Sequence, residues 1–230
     1  MSWLQNLYET YENNFDMVGR FEKNSEGEEF TLLPLYHTNL IAHIEIVVNE
    51  QGEFVWADVV KKEDSYTVSP CTEDSQSRTR KATPHPLHDG IKYVAGDFVD
   101  YGGEEKFKEA NELYLNNFKE MILHPNCHPK IKSIYQYIKK KTIIKDLYEH
   151  GKIKIDDNNQ LIKKWSKNGD KPELYKVASD ISKAVVRFDV HLEGEMTDKV
   201  WKDKDVFDSY IEYYSSRLDG EDLCYVTLIE

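Results

Sequence analysis

The 230-residue chain carries 30 lysines and arginines against 42 aspartates and glutamates, a formal net charge of −12, with 40% hydrophobic and 12% aromatic residues. That length can bury a sizeable core, and the fifteen tyrosines set the composition apart from that of disordered chains. No apolar run approaches the roughly eighteen residues of a spanning helix, which excludes a membrane segment of that kind, and the net acidity argues against a general nucleic-acid binder.

The start, Met-Ser-Trp-Leu-Gln-Asn-Leu-Tyr-Glu, has neither the cationic opening nor the apolar centre of a secretion signal. Three scattered cysteines, Cys71, Cys127 and Cys224, form no C-x-x-C pair and suit a reducing cytosol, so a cytoplasmic location is expected. The charge is segregated. Residues 1–74 hold 4 basic and 15 acidic side chains, whereas residues 128–171 hold 12 basic and 5 acidic. Local fields rather than the net charge steer a polyanion, so the basic middle is a candidate binding region.

In chain order, Trp3, Leu4, Leu7, Tyr8, Tyr11 and Phe15 recur at three- and four-residue steps and predict a helix over 2–15, with Ser2 as cap and the stripe as core or docking surface. The glycine- and glutamate-rich 19–29 predicts a polar turn or hairpin tip. The β-branched runs 40–48 and 53–60 flank Asn49-Glu50-Gln51-Gly52 and predict a hairpin. A short strand at 66–68 ends at Pro70. Helices are expected over 104–123, over 129–140 with Pro129 in the first turn, and over 142–150 up to Gly151. Asp157-Asn158-Asn159 predicts a second hairpin between 152–156 and 160–165. A strand at 184–190, an amphipathic helix at 200–217 and a strand at 223–229 complete an α+β chain of antiparallel sheet elements with helices segregated around them, read as one domain over 1–230.

The stretch from Ser75 to Gly96 organises the functional reading. It offers Ser77, Arg78, Thr79, Arg80, Lys81, Thr83 and His85, stiffened by Pro84 and Pro86. An exposed, stiff, cation-bearing loop suits phosphate contact better than catalysis. Lys130, Lys132, Lys139, Lys140, Lys141 and Lys145 form a second candidate basic surface on the polar sides of two helices. His124, Cys127 and His128 lack a convincing fourth ligand for zinc. His85, His88 and Asp89 lack a partnered nucleophile and read as a hydrogen-bonded anchor for the loop. Neither a Walker loop nor a dinucleotide fingerprint occurs, so no enzymatic activity, metal or cofactor is expected.

Several motifs together carry a family resemblance. They are Trp3-Leu4-Gln5-x-Leu7-Tyr8, Pro70-Cys71-Thr72-Glu73-x-Ser75-x-Ser77-Arg78-Thr79, Pro84-His85-Pro86-Leu87-x-Asp89, Tyr93-Val94-Ala95-Gly96-Asp97, Val186-Arg187-Phe188 and Cys224-Tyr225-Val226-Thr227. Over nearly its whole length the chain resembles the N-terminal domain of the large subunit of the type I-C CRISPR Cascade surveillance complex. The resemblance implies a non-enzymatic subunit at the crRNA 5′-handle end, in contact with other Cascade subunits. Such a domain reads the protospacer-adjacent motif (PAM) of double-stranded DNA, helps open the duplex and presents a surface to the helicase-nuclease.

The chain departs from the family pattern at Arg80-Lys81, where a small residue and glycine are usual, and at His88, where cysteine is usual. It also ends at Glu230, where relatives continue into a helical second half. Two roles are therefore expected as alternatives. One is a PAM-sensing domain. The other is a stand-alone mimic that occupies the large-subunit slot and inhibits or modifies CRISPR immunity.

Overall fold

The computed structural model describes residues 3–78, 82–166, 170–194 and 199–218. Helix α1 (Trp3–Asn13) opens the chain and is followed by a small antiparallel hairpin of β1 (Glu22–Lys23) and β2 (Glu29–Phe30), the turn expected at 19–29. The apolar run 40–48 is divided between two strands. Strand β3 (His37–Ile41) ends before Ala42-His43, and β4 (Ile44–Asn49) begins a hairpin with β5 (Phe54–Val59). Strand β6 (Tyr66–Pro70) returns to pair antiparallel with β3. The short helix α2 (Glu73–Gln76) then leads to β7 (Asp89–Gly90) and one helical turn, α3 (Ile91–Val94).

Helices α4 (Lys106–Ile122), α5 (Pro129–Ile138) and α6 (Ile143–Glu149) fall where their apolar periods predict. The backbone N–H of Lys130 donates to the His128 ring at the start of α5, and Gly151 leaves α6 at a φ of 71°. After α7 (Glu173–Val177) come β8 (Val185–His191) and α8 (Lys204–Ser215). The expected second hairpin shrinks to a single bridge, Ile155 to Leu161. Its turn is formed, with Asp156 accepting from the N–H groups of Asn158 and Gln160, but Leu161 N–H donates to the Tyr101 carbonyl and the ladder stops. The Ser2 cap and the strand expected at 223–229 lie outside the described residues.

The central sheet has the order β5-β4-β8-β7. Its β4–β8 pair is parallel, from Ile44–Val186 to Asn49–His191, and joins strands more than a hundred residues apart. The period of two then sorts the faces. Ile44, Ile46, Val48, Val186, Phe188 and Val190 enter the main core with Tyr114, Phe118, Ile131, Ile134, Tyr137 and Leu147 from the helices. Glu45, Arg187 and Asp189 occupy the alternate positions and are also buried. The fold is α+β with small, largely antiparallel sheets.

Candidate nucleic-acid interface

The loop that the sequence singles out is bolted down at its root. Thr72 and Ser75 form a reciprocal cap on α2, Ser75 N–H donating to Thr72 Oγ1 at 3.1 Å and Thr72 N–H to Ser75 Oγ at 2.8 Å. The same Ser75 Oγ lies 2.9 Å from His85 Nδ1. Asp89 collects the rest. It accepts from His85 N–H at 2.7 Å, from Gly90 N–H at 2.6 Å, and from both terminal nitrogens of Arg78 at 2.5 and 2.9 Å. Arg78 also donates to the Thr83 carbonyl at 3.1 Å and lies 4.8 Å from the centre of the Tyr93 ring. One turn on, the Ser69 hydroxyl donates to the His88 carbonyl, Phe188 N–H donates to His88 Nδ1, and Tyr114 O–H donates to the Leu87 carbonyl.

These contacts correct part of the sequence expectation. Pro84 through Gly90 are buried rather than exposed, so the prolines stiffen an interior segment. Burial lowers the pKa of His85 to about 4, which leaves it neutral near pH 7 and uncharged toward phosphate. Burial opposes the charge on Arg78, but the Asp89 hydrogen bonds and charge outweigh it and raise its pKa. The guanidinium is thus a cation already matched by a carboxylate. Ser77 is exposed, with its hydroxyl donating to the Glu73 carbonyl, and Thr83 is half-buried. Thr79, Arg80 and Lys81 lie outside the described residues. His85, His88 and Asp89 do form a hydrogen-bonded anchor, as their spacing suggests.

Sequence reasoning missed the cations gathered beside this anchor. Antiparallel pairing of β7 with β8 sets Asp89 opposite Val186 and Gly90 opposite Val185, which carries exposed Lys183 toward Lys92. Lys92 stands 5.1 Å from the Tyr93 ring centre and 5.0 Å from that of Phe107, and Lys106 stands 5.1 Å from Phe107. The Lys92 pKa is lowered, first by burial and then by Arg78, with Lys183 and Lys106 adding to the fall. Burial is the first cause of that fall and Asp89 opposes it, but Arg78, Lys92, Lys106 and Lys183 lie near enough to act on one another, and such a gathering of cations can draw in an anion. Glu104, 2.6 Å from Lys106, is an exposed carboxylate among them. No linear motif joins 92, 106 and 183; the β7–β8 pairing brings 183 toward 92, and the packing of Tyr93 against Phe107 of α4 brings 106.

The family model described as CRISPR-associated protein (Cas_Csd1) matches residues 7–227. The chain belongs to this CRISPR-associated family. No curated protein matches it.

In this CRISPR-associated chain the Val186-Arg187-Phe188 motif has a structural meaning. Arg187 donates to Glu45 Oε2 through Nε at 3.0 Å and Nη2 at 2.6 Å, and to the Asp64 carbonyl at 2.6 Å. Its guanidinium lies 3.6 Å from the centre of the Trp201 ring. Lys199 bridges Glu45 at 2.9 Å and Asp189 at 3.3 Å. The buried charges on this face of the sheet are therefore balanced within the protein.

The second basic surface is corrected at one position. Lys130 is buried, 2.6 Å from Asp203 at the start of α8, and joins two helices instead of facing solvent. Lys132, Lys139, Lys140, Lys141 and Lys145 are exposed. Of these, Lys140 donates to the Gly52 carbonyl at 2.7 Å and Lys145 lies 3.8 Å from Glu149. Burial raises the Cys127 thiol to about 11, while His124 rests edge-on to Tyr213. Among the described residues no group of three His, Cys, Asp or Glu side chains could hold a metal ion, and no helix is long and apolar enough to cross a membrane.

Proposed function

We propose that the chain acts as the N-terminal, PAM-reading domain of a type I-C Cascade large subunit, without catalytic activity of its own. It sits beside the crRNA 5′ handle in the cytoplasm, engages double-stranded DNA, supports its opening, and presents a surface to the helicase-nuclease. The observation that carries this reading is the pairing of a fixed loop root with surrounding cations. The Ser75–Arg78–His85–Asp89 network holds both ends of the segment bearing Arg80 and Lys81, and Lys92, Lys106 and Lys183 gather beside it. Flanking lysines can take the phosphates on either side of a groove. In this division of labour Arg78 and His85 position the tip, while Arg80 and Lys81 make the contacts.

The test is duplex retention by Cascade supplied with this chain, using a PAM-bearing and a scrambled duplex at moderate salt. The PAM duplex is retained at lower complex concentration. In Arg80→Ala/Lys81→Ala the PAM duplex binds about tenfold more weakly and loses its advantage over the scrambled one, the loss of one or two charge-assisted contacts. Equal retention of the two duplexes by the unmodified complex rejects the reading.

One observation favours the slot-occupying alternative. Arg78 is neutralised by Asp89, which removes one of the three expected groove-facing cations, and His85 is buried and uncharged. A mimic displaces the full-length large subunit from assembled Cascade in proportion to its concentration. No displacement at large molar excess ends that alternative.

A further inference from the structure

The stripe along α1 is bare. Trp3 is 77% exposed, Leu7 53% and Phe15 57%; Leu4 and Tyr8 are exposed beside them, and no residue of α1 is buried. Tyr11 holds the helix to the body, its hydroxyl donating to the Leu33 carbonyl and its ring meeting Phe15 edge-on at 6.2 Å. An apolar groove of about 290 Å³ runs between α1 and the β1–β2 hairpin, lined by Leu7, Tyr11, Met17, Phe30 and Leu32. A second, of about 160 Å³, continues from Tyr11 and Phe15 to Leu35 and Phe207. A continuous apolar surface of this kind marks a docking site.

Charge selects the occupant. Glu9, Glu12, Asp16, Glu22, Glu26, Glu28 and Asp208 are exposed around the grooves, against Arg20, Lys23 and Lys204. Arg20 is itself 3.8 Å from Asp16. A second copy would bring the same acidic rim to this face. Residues 219–230 of the chain carry four carboxylates and no lysine or arginine, so they too meet like charge. An anionic membrane is repelled for the same reason. We propose that α1 and its grooves dock another protein, one that presents an apolar ridge rimmed by lysine and arginine. Apolar burial supplies the affinity of such a contact, and the opposed rims set its orientation and its salt sensitivity. The inference rests on the Cascade reading only for the set of proteins used to test it.

The experiment places a benzophenone side chain at position 7 of the full chain, in cells that produce the complete set of CRISPR-associated proteins, and sequences the crosslinked peptides. The expected product is a different polypeptide joined through a segment of net positive charge, with the yield reduced at least tenfold by Trp3→Glu/Leu4→Glu. The melting temperature of that variant stays unchanged, because Trp3 and Leu4 are both exposed. Crosslinks confined to a second copy, to residues 219–230, to a net-acidic segment or to lipid, or no crosslink at all, overturn the proposal. Arg80→Ala/Lys81→Ala separates the two ideas. It abolishes PAM discrimination and leaves this crosslink intact, so either reading can fail without the other.

Discussion

A carboxylate that is 2% exposed and bound by both terminal nitrogens of one guanidinium is costly to strand, and Asp89 with Arg78 is such a pair. Removing one partner of a buried ion pair leaves the other charge uncompensated, at a cost of about 3–5 kcal/mol. Urea denaturation of Arg78→Ala is therefore expected to show a loss of that order, whereas Arg80→Ala/Lys81→Ala melts like the parent. Arg78→Lys recovers only part of the loss, since an ammonium cannot make two parallel bonds in a fixed plane. An unchanged midpoint in Arg78→Ala contradicts the bracing role. The sequence shows that position 78 is cationic and that His85, His88 and Asp89 cluster. It does not show that the charge is matched eleven residues later, because spacing along a loop carries no distance. Lys130 was illegible for the same reason: its partner Asp203 is on another helix.

The tip of the β4–β5 hairpin shows how elements fix one another. Gly52 adopts a φ of 71°, and a Cβ there would lie 2.5 Å from Gln136 Cβ, 2.6 Å from the Ser133 carbonyl oxygen and 2.8 Å from Tyr137 N on α5. The Ser133 hydroxyl donates to the Glu50 carbonyl and Lys140 donates to that of Gly52, so the turn is clasped to the helix. Gly52→Ala meets both a left-handed backbone and immovable main-chain atoms. It should cost more than about 1 kcal/mol in a chemical-denaturation midpoint; a neutral result would show that the hairpin lifts freely from α5. The hairpin was legible from its turn residues and β-branched runs, and α4 to α6 from their apolar periods. The parallel pairing of β4 with β8 was not, because nothing local records a partner so distant in sequence. The lysine cluster at 92, 106 and 183 depends on the equally non-local pairing of β7 with β8 and on the packing of α4 against Tyr93, and was hidden for the same reason.

Across the whole molecule, burial of titratable groups sets the pH response. Burial lowers His37 and His85 to about 4 and His88 to about 3. Unfolded histidines take up protons near pH 6.5, which the folded protein refuses. Their contribution is thus complete above pH 6.5 and lost as pH falls toward 4. Burial raises Asp97 to about 6, with the Asp146 charge adding to the rise. That contribution has the opposite sign, present in acid and lost as pH rises through 6. For these four groups near pH 5, three histidines oppose one aspartate, a net of about two protons or about 2.7 kcal/mol per pH unit, and the burial that lowers His43 acts in the same direction as the histidines. The urea midpoint should fall between pH 6.5 and 4.5, and Asp97→Asn should steepen the fall. A midpoint that rises over this range would contradict the burial of the histidines.

The acidic ends and basic middle were visible in composition, but the cationic field beside the loop is a property of the folded whole. The dependence of duplex affinity on salt concentration, measured for Cascade carrying either the parent chain or Lys92→Ala/Lys106→Ala/Lys183→Ala, reads that field most directly. Each lysine–phosphate contact contributes about 0.9 to the slope of log K against log salt. The triple variant should therefore flatten the slope by about 2.7 at unchanged melting temperature, whereas identical slopes for the two complexes would mean that these cations do not face DNA.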